Sequence, residues 1–148
     1  MSLTIRLLAV PQAAPLLRHA VREHLGAGAS PDAELCVSEL LANVITHLGE
    51  GTPVTLRVTG GAVRTRVELT DPDPDGNPAP RNAGDTDESG RGLALLAAVS
   101  LRWGVRREPA GKTVWAELPG AAPRPRSSGP GLTLVTVSGE GLRLITDG

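Results

Sequence analysis

Phenylalanine and tyrosine are absent from this 148-residue chain, two tryptophans are its only aromatics, and cysteine, methionine and lysine each occur once. Aliphatic side chains must therefore build any core, and 40% hydrophobic content over this length suffices for one domain with a short appendage. One cysteine, Cys36, can form no internal disulfide, so nothing in the composition points to an oxidising compartment. No apolar run approaches the roughly 20 residues of a membrane span, and the N-terminus lacks a signal-peptide pattern. The expected home is the cytoplasm. Fifteen basic residues against sixteen acidic ones give a net charge of -1, and no nucleic-acid motif is present, so neither nucleic acid nor membrane is expected as a partner. Fourteen of the fifteen basic residues are Arg, which fits the Ala, Gly and Pro bias of a GC-rich coding sequence and is equally suited to gripping phosphate.

Hydrophobic spacing orders the rest of the chain. Residues 2 to 10 read as a strand stopped by Pro11. From 12 to 25, Leu16, Leu17, Ala20, Val21 and Leu25 recur at helical spacing, with Arg18 and Arg22 as an exposed i,i+4 pair. Ser30-Pro31 is a cap and first-turn pair for a second helix over 31 to 48. Residues 53 to 59 and 63 to 71 alternate as two strands about a Gly60-Gly61 turn. A polar stretch from Asp71 to Ser89 cannot build a core and reads as a functional lid or disorder. Gly90-Arg91-Gly92 opens a third amphipathic segment, with Leu93, Leu96 and Val99 spaced for burial. A last hairpin turns through Pro109-Ala110-Gly111 and puts Val114, Ala116 and Leu118 on its inner side. One-faced strands need a cover, and three helices are available. The expected fold is an α/β (α+β) two-layer sandwich, a mixed or antiparallel sheet covered on one face by three helices. Residues 1–118 form this domain, 119–131 a Pro/Gly/Ser linker, and 132–148 an appended hairpin expected to dock on a sheet edge or on a partner.

Chemistry concentrates on the second helix. Glu39, Asn43 and His47 are four residues apart; at roughly 100° per residue Asn43 lies about 40° round from Glu39 and His47 about 80°. A carboxylate, a carboxamide and an imidazole thus line the edge of a buried face. Cys36 falls on the same stripe, but with no nucleophile-and-base arrangement beside it, it reads as a packed small side chain. Asn43 could give a carbonyl oxygen to Mg²⁺, which takes one or two protein oxygens and the rest from phosphates and water. Its alternative is a local backbone hydrogen bond. Glu39 would then lie near a terminal phosphate, able to accept a proton, or be a solvated helix carboxylate. The glycines before the third helix are either an anion-binding turn or only a turn. Asp71, at the end of VELTD, either accepts a hydrogen bond from a base amine or is a turn aspartate before proline.

Taken in order, ELLANVITH, VELTD, ESGRGLALL and WGVRREPAGKTVWAEL resemble the ATP-binding domain shared by gyrase, heat-shock chaperones, histidine kinases and MutL, the GHKL or Bergerat-type ATPase/kinase superfamily. The likeness covers about residues 5 to 118 and is closest to the small serine-kinase anti-sigma factors of bacteria. It implies an ATP pocket between a helical layer and an open sheet, closed by the loop at 77 to 89. Glu39 would be the general base, Asn43 the magnesium ligand and Asp71 the adenine reader. Gly90, Arg91, Gly92 and Leu93 would form the phosphate-binding turn, and Lys112-Thr113 would match the final motif, with the Thr113 hydroxyl supporting the nucleotide. His47 joins this set from the stripe geometry. The implied partners are a sigma factor and an anti-anti-sigma protein whose serine accepts phosphate; a homodimer stays open.

One departure stands out. The family's pattern has glycine two residues after the aspartate, whereas Asp73 occupies that position here, between Pro72 and Pro74. Either Gly76 supplies the opening or nucleotide binding weakens. A catalytically weak, nucleotide-dependent binding switch is therefore a second reading. A sensor histidine kinase fragment is a third and fits less well, since His19 and His24 lie in a helix used to cover the core.

Overall fold

Apolar alternation on each strand produces a sheet with one greasy side, and three amphipathic helices cover it. The computed structural model describes residues 2–26, 31–74, 88–120, 132–138 and 141–146, with side chains at 2–26, 31–74 and 94–120. In chain order the elements are β1 (Ser2–Ala9), α1 (Ala13–Leu25), α2 (Pro31–Leu48), β2 (Thr52–Thr59), β3 (Arg64–Asp71), α3 (Glu88–Val99), β4 (Arg102–Glu108), β5 (Gly111–Pro119), β6 (Leu132–Ser138) and β7 (Gly141–Thr146). The strands form one sheet in the order β4-β5-β3-β2-β1-β6-β7. Neighbours are antiparallel except β1 and β6, which run parallel with Ser2 beside Leu132. This is the expected two-layer α+β sandwich with a mixed sheet.

Leu3, Ile5 and Leu7 of β1, Val54, Leu56 and Val58 of β2, Val67 and Leu69 of β3, and Val114, Ala116 and Leu118 of β5 share the inner face. Helix α1 lays Ala13, Leu17, Val21 and Leu25, spaced by four, onto that layer. Helix α2 is central: it touches α1, α3 and strands β1, β2, β3 and β5. Being packed on several sides, it buries more of its circumference than a surface helix, and Cys36, Leu40 and Asn43 join Val37, Leu41 and Val44 inside. Gly49 and Gly51, at φ 97° and 87°, turn the chain from α2 into β2 in a conformation that glycine adopts without a Cβ penalty.

Two expectations shift. Helix α3 begins at Glu88, so Gly90 and Gly92 lie inside the helix instead of ahead of it. Helix α3 as a whole packs against α2, and each glycine within it carries a penalty of roughly 0.5–1 kcal/mol. Arg18 and Arg22 are not a free pair: Arg22 Nη2 lies 2.6 Å from Glu34 Oε1 and Arg18 donates to Ser38 Oγ at 3.2 Å, tying α1 to α2. The β6–β7 hairpin extends the sheet beyond β1. Pro119 pairs with Arg64, next to the end where Ser2 pairs with both Thr59 and Leu132, so β5 finishes at the end of the sheet where β6 starts. Four strand spacings, about 19 Å, separate them, well within reach of the intervening segment. The Ser30 cap, Gly76 and the loop at 77 to 87 lie outside the described residues.

Candidate functional site

Strand β3 ends on Asp71, whose place is set by parity: Val67, Leu69 and Asp71 all face the helices. Register does the same on β5, where Lys112 pairs with Asp71 and Val114 with Leu69. Between these strands and α2 opens a pocket of about 170 Å³. Leu40, Val44, Leu48, Leu69 and Val114 form its apolar wall, and Asn43, His47, Asp71, Asp73 and Lys112 supply polar atoms. An apolar slot with a few convergent polar groups is the usual form of a small-molecule site, and this one is smaller than the roughly 300–1,000 Å³ that whole ligands occupy.

Asp71 is the electrostatic centre of the pocket. Lys112 Nζ lies 3.0 Å from Asp71 Oδ2 and donates to Oδ1 at 3.1 Å, both side chains being almost wholly buried at 7% and 3% exposure. Nζ donates a second hydrogen bond to the Asp73 carbonyl at 3.2 Å. Oδ1 also accepts the Asp73 backbone N–H at 2.8 Å, an Asx turn that Pro72 is pre-set to occupy. A carboxylate has about four acceptor positions, and hydrogen bonds among the described residues fill two, both on Oδ1. Oδ2, in ion-pair contact with the ammonium, is open to an N–H donor. Arg107 holds the next residue by donating to the Pro74 carbonyl at 2.9 Å. Asp73, the residue that departs from the family's glycine, thus lines the pocket and belongs to a fixed turn.

Asn43 is buried at 8% exposure, and its Oδ1 accepts no hydrogen bond among the described residues. Burying a carbonyl oxygen unpaired costs about 1–3 kcal/mol, so such an atom facing a pocket asks for a ligand. A hard divalent cation suits it: the donor is an uncharged oxygen, and the ion keeps its charge for phosphate. Among the described residues no cluster of three His, Cys, Asp or Glu side chains could hold a metal alone. Such an ion would take its remaining ligands from phosphate and water.

The other expected site residues divide. His47 is exposed at the pocket rim, and half-buried Glu39 sits one helical turn before Asn43, outside the lining. The backbone of Gly90 and Arg91 belongs to the first turn of α3, where N–H groups lack intrahelical partners and the dipole is positive; Gly92 and Leu93 follow directly. Thr113 is turned away: it lies on the opposite face of β5, its hydroxyl 2.7 Å from that of Thr70. The pocket position belongs to Lys112, one residue earlier. Parity could have found it, since Lys112 alternates in step with Val114, Ala116 and Leu118. Cys36 is inert packing, its thiol pushed up to about 12 chiefly by burial and then by Asp32 and Glu39.

Comparison with known proteins places the chain in a family. A profile of the histidine kinase-like ATPase domain matches residues 6–118. An uncharacterised protein of Streptomyces coelicolor is 49% identical over 89 residues, covering 59% of this chain and 85% of its own. The histidine kinase domain of the blue-light-activated histidine kinase from Erythrobacter litoralis is similar at a TM-score of 0.44 and 19% identity over 74% of this chain, which spans 60% of that domain. The chain belongs to the histidine kinase-like ATPase family, and its fold is that of an ATP-binding, kinase-like domain.

Proposed function

We propose that this protein is an ATP- and Mg²⁺-dependent protein serine/threonine kinase that regulates a sigma factor by phosphorylating an anti-anti-sigma partner. The observation that carries the reading is the buried Asn43 Oδ1, without a hydrogen-bond partner among the described residues, beside a pocket whose carboxylate keeps Oδ2 open to a donor. Adenine offers one exocyclic amine to such an acceptor. Asn43 would hold the magnesium ion, whose chemistry is to neutralise phosphate charge. Glu39, one turn away, would take the proton of the incoming seryl hydroxyl as its oxygen bonds to the γ-phosphorus and the bond to ADP breaks. The α3 N-terminus would bind phosphate through Gly90 and Arg91 backbone N–H groups.

Calorimetry with Mg-ATP on the purified chain is the first test: binding is expected, and absence of heat on folded protein removes the proposal. Asn43→Ala should weaken Mg-dependent binding at least tenfold, about 1.4 kcal/mol. Glu39→Gln should still bind nucleotide and lose about 10²- to 10⁴-fold in transfer rate. The phosphate on the partner should survive acid, as a seryl ester does and a phosphohistidine does not. ATP binding with no transfer to any co-encoded partner would favour the switch reading, motivated by Asp73 in the pocket.

A further inference from the structure

The face of the sheet turned away from the helices is neither apolar nor neutral. Across β4, β5, β3, β2 and β1 the paired positions form three rows: Arg102, Glu117, Arg66, Thr59, Ser2; then Gly104, Trp115, Glu68, Arg57, Thr4; then Arg106, Thr113, Thr70, Thr55, Arg6. The acids lie low. Glu117 is 9% exposed beneath Arg64, Arg66 and Arg102, and Glu68 is 16% exposed against Arg66. The guanidiniums lie on top, with Arg64, Arg102 and Arg106 each more than half exposed and Arg6 and Arg57 open. Arg66 also stacks 4.4 Å over the Trp115 ring, which rests on Gly104 where a Cβ would come within 2.7 Å of it. Among the described residues no element covers this face, and the span from β4 to β1 is about 19 Å.

The geometry points to this face as a docking surface for an acidic protein partner. Submerged carboxylates hold several arginines in place, so less side-chain freedom is lost on binding. Arg and Trp are the residues that most often dominate protein interfaces, and here they lie adjacent and rigid. A second copy of the chain is a poor occupant, because a two-fold contact through one patch sets like charge on like charge. Nucleic acid is also a poor occupant. Trp115 is the face's one aromatic side chain, and single strands need successive stacking platforms.

The test uses the full chain and a fluorescein-labelled twelve-residue peptide of repeating Glu-Glu-Leu, read by anisotropy. Binding at 50 mM salt should weaken at least tenfold at 300 mM. Arg57→Glu/Arg106→Glu should lose at least tenfold, and Arg57→Gln/Arg106→Gln an intermediate amount, with unchanged melting temperature. Arg18→Gln/Arg22→Gln on the helical layer, which alters net charge as much as Arg57→Gln/Arg106→Gln without setting a new acid against Glu34, should bind as the wild type does. Absence of peptide binding, equal loss in the helical variant, or tighter binding of a 20-base-pair duplex than of the peptide overturns the proposal. None of these outcomes depends on nucleotide binding or phosphotransfer.

Discussion

Lys112 is the chain's one lysine, and it is spent on a buried carboxylate. An ammonium is a compact donor, and here it hydrogen-bonds to Asp71 Oδ1 and the Asp73 carbonyl with Asp71 Oδ2 at 3.0 Å. Lys112→Met leaves the buried Asp71 carboxylate without its counter-ion, and removing one partner of such a pair costs about 3–5 kcal/mol. Urea denaturation should show that loss; a change under 1 kcal/mol would mean that the pair contributes little to holding the turn. Cys36 gives a second residue-scale prediction. Burial first, then the charges of Asp32 and Glu39, raises its thiol to about 12. A thiol reagent at pH 8 should label the native protein negligibly and label it fully in denaturant, whereas rapid native labelling would contradict the packing. The stripe reading of Glu39, Asn43 and His47 was legible in the sequence because helical spacing alone sets it. Which of the three turns inward was not, since α3 and β3 decide what covers α2.

Strands and turns obey a different rule. Period-two alternation assigns each residue to a face from sequence alone, and it placed Val114, Ala116 and Leu118 inside correctly. Motif likeness drew attention to the Thr113 hydroxyl, whereas alternation sets Thr113 with Trp115 on the outer face and Lys112 within. Parity is the stronger guide because the pleat enforces it. The turn before Lys112 depends on Gly111, where a Cβ would lie 2.2 Å from the Asp71 carbonyl oxygen. Gly111→Ala must push the β4–β5 turn off the end of β3. A loss of about 1–3 kcal/mol and weaker nucleotide binding are expected, measured by thermal unfolding and calorimetry. Helix α3 starts earlier than its glycines suggest because glycine marks a turn only when no tertiary contact rewards a helix.

Over the whole molecule, charge separates by layer. The sheet's outer face gathers arginines although the chain's net charge is -1. Glu117 joins β3, β4 and β5 through Arg64, Arg66 and Arg102. Hydrogen bonding from Arg102 opposes desolvation and, with Arg64 and Arg66, lowers the Glu117 carboxyl from 4.5 to about 2. A depressed carboxylate contributes stability that is complete above its unfolded value and declines as the proton returns. Wild-type stability should therefore fall as pH drops from 4.5 towards 2, and Glu117→Gln, weaker at pH 7, should show a flatter curve over that window. Chemical denaturation at several pH values measures both. Identical slopes in the two proteins would remove Glu117 from the acid response.

Local physics in the chain determined the elements, the sidedness of each strand of the main sheet, and the nucleotide-site motifs, because helical period, strand period and turn chemistry act over a few neighbours. Tertiary structure alone decided that β6 lies parallel beside β1, that Lys112 closes on Asp71, that Asn43 Oδ1 is buried without a partner among the described residues, and that Glu68 and Glu117 are submerged beneath arginines on the outer face. Each joins residues distant in sequence, through strand register and packing between layers, and short-range preferences carry no information about either.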